Sequence, residues 1–245
     1  MRILFAVVRA IVAVAITAAV AGQLATSLAF WTERGDEDIA TDVVNFFSFF
    51  TVQSNIAAAV TLAIGAFLLL RRSGPDPRWL AVLLTCVATY MITTGIVYNL
   101  LLRGIELPQG STLGWSNEIL HAVGPLYLLV DRLFAPGTRP LPARTIGIAV
   151  IYPIVWGVYT LVRAPFTFDY VSGTTGWYPY PFLNPALSPS GYLSVAFYIV
   201  LIALVISAVA AGVLWLSRRR RGRSDDQGGA RPQGDGGARR RLENS

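Results

Sequence analysis

Six long apolar runs constrain this chain of 245 residues more than any other feature. They extend over about Ile11–Phe30, Val43–Leu70, Trp79–Leu102, Trp115–Phe134, Thr145–Val162 and Tyr192–Leu216. A helix rising about 1.5 Å per residue needs about 20 mostly apolar residues to cross a hydrocarbon core roughly 30 Å thick. The runs are continuous, whereas a membrane barrel would show alternating strands of about ten residues. The expected fold is therefore all-α, a polytopic integral membrane protein with six transmembrane helices in a domain at residues 1–216. The composition agrees, with 54% hydrophobic and 14% charged residues against about 25% charged in soluble domains. In the first run, Ala19-Val20-Ala21 offers a small-residue cleavage site. The run continues to Phe30, longer than the roughly 7–15 apolar residues of a signal peptide, and so reads as a span.

Orientation follows from arginine, since the chain has no lysine. Cytoplasmic loops concentrate positive charge. All arginines except Arg34, Arg103 and Arg163 fall on one side of the alternating spans. That side includes both termini, so both are expected to be cytoplasmic, in the cell membrane. The tail, residues 217–245, is rich in Arg and Gly and too polar to bury a core, so disorder is expected there. Its arginine run at 218–221 reads as a topology anchor, or as a contact for anionic lipid. The net charge of +6 sits at span ends and in the tail, and does not argue for nucleic acid. One cysteine, Cys86, cannot close an internal disulfide, and one histidine, His121, cannot build a His-rich metal cluster. No motif implies a cofactor, and the oligomeric state is open.

Function must come from the few polar residues inside the spans. Counting helical rise from the extracytoplasmic side, Thr51 in span two lies about 12 Å deep and His121 in span four about 9 Å. Ser48, Thr51 and Asn55 share a helical face, with Ser54 beside them, and Asn117 shares a face with His121. Tyr98 and Asn99 end span three, while Gln23, Thr26 and Ser27 end span one. Unpaired polar groups are costly in hydrocarbon, so these residues are expected to face one another. An outward-opening polar pocket walled by spans one to four results. Each residue also has a plain reading as interhelical glue or as a hydroxyl bonded back to its own helix.

The chemistry that this set suggests is covalent ester hydrolysis. Thr51 would be the nucleophile, His121 its base, and the amides of Asn55 or Asn117 the oxyanion donors. Asp131 lies about 15 Å along the helix from His121, and Glu118 points to a different face, so no carboxylate completes a triad. Two rivals stand beside this reading. One is a non-enzymatic membrane protein that binds a lipid or a partner in the same pocket. The other is a proton-coupled transporter titrating at His121, which would want discontinuous helices and polar groups through to the inner side. The run Trp177-Tyr178-Pro179-Tyr180-Pro181-Phe182 reads as an interfacial aromatic belt or as a stiff lid.

Several of these segments resemble a bacterial membrane family called Pr6Pr. They are Phe49-Phe50-Thr51-Val52-Gln53-Ser54-Asn55, Thr94-Gly95-Ile96-Val97-Tyr98, Asn117 with His121 and Pro125, and Trp177-Tyr178-Pro179-Tyr180. The resemblance covers about Val43 to Tyr192. That family is distantly similar to the animal androgen-induced six-helix proteins, which hydrolyse fatty-acid esters of hydroxy fatty acids with one intramembrane Thr and one His. The resemblance implies a six-helix fold and a lipid-ester substrate, with Thr51 and His121 as the reacting pair. The candidate substrate-binding or oxyanion residues around this pair are Asn55, Asn117, Ser54 and Tyr98.

Overall fold

The apolar runs become helices because a backbone in a dry environment must bond to itself. The computed structural model describes residues 1–105 and 112–228, with side chains up to Arg218 in the last helix. Helix α1 (Arg2–Arg34) ends at Gly35, whose φ of +80° lets its N–H turn back onto Trp31 and Thr32. The Asp38 carboxylate caps α2 (Ile39–Ser48) through the Thr41 N–H. Helix α3 (Phe50–Arg71) follows after one extended residue, Phe49. Helix α4 (Arg78–Val97) runs into a π-turn, Tyr98–Leu102. The next stretch comprises α5 (Gly114–Glu118), a π-turn at Ile119–Val123, and α6 (Gly124–Phe134). Helix α7 (Arg144–Arg163) leads through a small antiparallel hairpin, β1 (Phe168–Asp169) with β2 (Thr174–Thr175), to α8 (Tyr192–Gly228).

Among the described residues, five helical stretches are long and apolar enough to cross a membrane: Arg2–Arg34, Phe50–Arg71, Arg78–Leu102, Arg144–Phe166 and Tyr192–Arg218. The protein is all-α apart from its one hairpin, with the composition of a multi-pass membrane protein. The fourth expected span is helical throughout 114–134 but is divided by its π-turn. The second is not continuous, because Phe49 breaks it. The last helix extends past Leu216 to Gly228, and residues 229–245 of the expected tail lie outside the described residues.

Helix α4 is the central post and touches α3, α6, α7 and α8, while α1 lies along α3. Close approach explains two glycines. A Cβ on Gly95 would meet Pro125 at 2.9 Å, and one on Gly124 would meet Met91 at 2.9 Å. The outer faces of α7 and α8 carry exposed Ile154, Val158, Phe197 and Leu204, as lipid-facing surfaces should.

Contacts between connections define two ends of the bundle. At one, Asp76 N–H donates to Gly137 at 2.9 Å, and Arg218 donates to the Leu141 carbonyl at 3.0–3.1 Å. Just inside it, buried Arg9 forms a bidentate pair with buried Asp131 at 2.8 and 3.0 Å, and Arg132 donates to the same carboxylate at 2.8 Å. At the other end, the Tyr170 hydroxyl accepts from the Asp38 N–H at 2.8 Å, joining the α1–α2 and α7–α8 connections.

Candidate functional site

Thr51 sits where the helix is interrupted. The break at Phe49 frees backbone groups, and aromatic side chains from elsewhere in the fold satisfy them. Trp156 Nε1 donates to the Ser48 carbonyl at 2.9 Å, and the Thr51 N–H donates to the Tyr180 hydroxyl at 3.2 Å. Gln53 Nε2 donates to the Phe47 carbonyl at 2.7 Å, bridging the break. The Tyr180 hydroxyl also reaches Thr51 Oγ1 at 3.5 Å. Ser48 therefore does not share a face with Thr51. It bonds back to Val44 at 2.7 Å and meets the Tyr159 hydroxyl of α7 at 3.0 Å.

His121 lies on the π-turn of the fourth stretch, and Pro125 explains that irregularity. Proline has no N–H, so the carbonyl four residues earlier, His121, loses its helical donor; the wider turn leaves Leu120 in the same position. Asn99 Nδ2 donates to the His121 carbonyl at 3.0 Å, and Asn55 Nδ2 to the Leu120 carbonyl at 3.3 Å. The second hydrogen of the Asn55 amide goes to the Thr51 carbonyl at 2.8 Å. Asn55 thus ties α3 to the fourth stretch, and both of its donors are committed. Ser54 bonds back to Phe50 at 2.6 Å.

The His121 ring Nδ1 is 3.0 Å from the Asn117 carbonyl. A carbonyl only accepts, so Nδ1 carries a proton, and in the neutral ring Nε2 then keeps its lone pair. The ring stacks on Tyr98, with centroids 3.9 Å apart and planes at 26°. The Asn117 amide donates to the Tyr98 hydroxyl at 2.6 Å. Asn117, His121 and Tyr98 are brought together as one cluster. Thr51, Asn55 and Ser54 form a second group, linked to the first through the Asn55 bond to Leu120. Thr51 and His121 are not hydrogen-bonded to each other. The carboxylates nearby are engaged elsewhere, Glu118 with Arg103 at 2.9 and 3.1 Å and Asp131 with Arg9.

An apolar cavity of about 250 Å³ opens beside Thr51. Its walls come from α3, α4, α7, α8 and the α7–α8 connection, including Thr51, Tyr98, Thr93, Thr94, Trp156 and Tyr180. This cavity differs from the expected polar pocket walled by spans one to four: it is apolar and bounded by spans two, three, five and six. Exposed Ile154 and Val158 also line it, so it opens sideways between the helices toward the apolar exterior. Tyr98 borders a second, more polar groove with Arg34, Asp169 and Tyr178. The aromatic run is not an exposed belt. Trp177, Tyr178 and Tyr180 are all buried, and Phe49 packs edge-on against Trp177 and Tyr180 with centroids 5.6 Å from each. Phe182 stacks on Tyr180, and both line the cavity.

Sequence reasoning missed Tyr180 as the partner of Thr51, and Thr93, Thr94 and Trp156 as wall residues. Pro125 was the available signal for the irregular turn at His121, since its missing N–H leaves a carbonyl that needs another partner. Among the described residues, no group of His, Cys, Asp and Glu is placed to hold a metal ion. No family model matches this chain, and neither the curated proteins nor the solved structures yield a match.

Proposed function

We propose that this is a six-span protein of the cell membrane, with both termini cytoplasmic, that takes the acyl chain of a lipid into the cavity beside Thr51. The cavity carries this reading. Its wall is apolar and open toward the bilayer side, and Thr51 and Tyr180 are among the residues that line it. From Val150 to Leu161 on α7 it follows about 16 Å of helix axis, a length suited to an extended chain. Membrane lipids are thus the expected partners. The resemblance to the Pr6Pr family supports both the span number and the lipid ligand.

The test is photo-labelling of the detergent-purified protein with a fatty-acyl probe carrying a diazirine in the chain. Adducts are expected on cavity residues such as Ile202 and Ile206, and an excess of unlabelled lipid should suppress them. Labelling confined to the outer faces of α7 and α8 would refute the reading.

A second reading, hydrolysis of a lipid or fatty-acyl ester, is favoured by the position of Thr51 on that wall and by the tautomer of His121. Thr51 Oγ1 would attack the ester carbonyl while His121 Nε2 takes its proton and passes it to the leaving alcohol. Water would then release the acyl group. The two groups are not hydrogen-bonded to each other in the free protein, so this reading requires them to come within about 2.6–3.2 Å when substrate is bound. Release of fatty acid by the wild type, with loss in both Thr51→Ala and His121→Ala, is the expected result. Release that survives both changes removes them from catalysis.

A further inference from the structure

The polar groove lies at the end of the bundle where Tyr170 meets Asp38, and it encloses about 1330 Å³. Among the described residues, Tyr98 alone lines both this groove and the apolar cavity. Elsewhere the α7–α8 connection stands between the two. Tyr180, Phe182 and Leu183 line the cavity, while Tyr178, Pro181 and Asn184 line the groove. At Tyr98 the two hollows are therefore one side chain apart. Arg34 and Asp169 are the charged side chains on the groove wall among the described residues. They are opposite in sign and near enough to interact electrostatically, yet no hydrogen bond or ion pair joins them. The Arg34 side chain is 25% exposed. Asp36 binds its Nε at 2.6 Å and also its Nη2, and the Phe30 and Tyr170 ring centroids lie 5.2 and 5.9 Å from the guanidinium carbon. The guanidinium is thus held in place with Nη1 uncommitted. Asp169 is half-buried, and its Oδ1 accepts from the Val171 N–H at 3.0 Å. No described cation bonds to it. Since Asp36 already balances Arg34, Asp169 is the uncompensated charge of the groove.

We infer that the groove holds the head of a zwitterionic phospholipid, with its phosphate on Arg34 and its ammonium on Asp169, while an acyl chain of the same molecule lies in the apolar cavity. This rests on the lipid reading of the cavity and adds to it the class of head group. A fixed guanidinium with a free N–H edge suits a phosphate oxygen. A carboxylate with the Tyr170 ring on the same wall suits an ammonium. The glycerol linker would pass Tyr98, where the two hollows adjoin. A head with negative charge alone would meet Asp169 without compensation. An uncharged head would use neither ion. Only a head that carries both signs complements the pair that the groove leaves unjoined.

The experiment uses three competitors with the same two oleoyl chains against the diazirine probe on the full chain. They are phosphatidylethanolamine, phosphatidylglycerol, which lacks the ammonium, and diacylglycerol, which lacks both charges. In the wild type the ethanolamine lipid should compete roughly fivefold or more better than either of the others, as one charge-assisted hydrogen bond allows. In Asp169→Asn, which keeps the acceptor for Val171 and removes the charge, phosphatidylglycerol should come within about twofold of phosphatidylethanolamine. Asp169→Glu should keep the wild-type preference, which separates charge from shape. A preference for the ethanolamine lipid that persists unchanged in Asp169→Asn overturns the inference and leaves the lipid reading standing. So does phosphatidylglycerol or diacylglycerol competing as well as phosphatidylethanolamine in the wild type. Displacement by water-soluble glycerophosphoethanolamine at the same concentration as the lipid would show a site for a free solute, and also overturns it. Failure of the probe to label the cavity overturns both.

Discussion

At the scale of single residues, the costliest feature is the Arg9–Asp131–Arg132 cluster. Arg9 and Asp131 are fully buried, and Gly65 makes room, since a Cβ there would lie 2.8 Å from Arg9 Nη1. Ion pairs in a dry interior gain Coulomb energy but lose hydration, so the pair itself need not stabilise. Removing one partner is different, because the other charge stays buried. Asp131→Ala leaves two guanidiniums facing each other and should cost about 3–5 kcal/mol. Thermal unfolding in detergent measures this, and Arg9→Met combined with Asp131→Leu should recover much of the loss. Equal stability of Asp131→Ala and wild type would show that water already reaches the cluster. Distance along the helix from His121 already excluded Asp131 from a catalytic role. The structure adds the reason that its oxygens are already occupied.

At the scale of elements, two departures from regular helix near the site have visible support: Pro125 at the π-turn that carries His121, and, at the Phe49 break, Trp156 as donor with Tyr180 as acceptor. Hydropathy shows where helices run but not where they break, so span two was legible as a helix and its interruption at Phe49 was not. The break depends on Trp156 and Tyr180, more than one hundred residues away in sequence. Period alone placed Ser48 with Thr51 and was defeated by that one extended residue. Asn117 with His121 was readable, because the chain stays helical between them even though the α-turn gives way to a π-turn after Glu118.

The short helix before the break has its own titration. Asp42, in the first turn of α2, is buried and has one unpartnered oxygen. Burial, with the carboxylates of Asp36 and Asp38 nearby, raises it from the ordinary 3.8 to about 7; Arg34 opposes this. A carboxyl raised in the folded state binds its proton there while the unfolded chain has released it. Its stabilising contribution is therefore full below about pH 4 and is lost as pH rises through about 7. The unfolding temperature should fall over that window, and Asp42→Asn should flatten the fall. An Asp42→Asn protein with the wild-type pH profile would exclude this carboxyl as the source.

At the scale of the whole molecule, the number of crossings decides which surfaces share a compartment. Only the fourth stretch fails to stand out by length and apolar character, because it carries Glu118, His121, Asp131 and Arg132. If it crosses, the connections holding Glu37 and Ser172 lie on one side and that holding Ser73 on the other. If it does not, Ser172 and Glu37 part company. The hydrogen bond from Asp38 to Tyr170 joins the first two connections, and that from Asp76 to Gly137 joins the connections on either side of α4 and α6. Both favour the crossing, as does the arginine distribution. Cys86 is the one native thiol and is buried, so single cysteines introduced at exposed Glu37, Ser172 and Ser73 report cleanly. An impermeant maleimide on intact cells should label Glu37→Cys and Ser172→Cys, and reach Ser73→Cys only after the membrane is opened. Labelling of Ser73→Cys together with Ser172→Cys would leave the fourth stretch inside the bundle without a crossing. It would also place the Thr51 end of the cavity and the C-terminal arginines in the same compartment, contrary to the charge rule that assigned them.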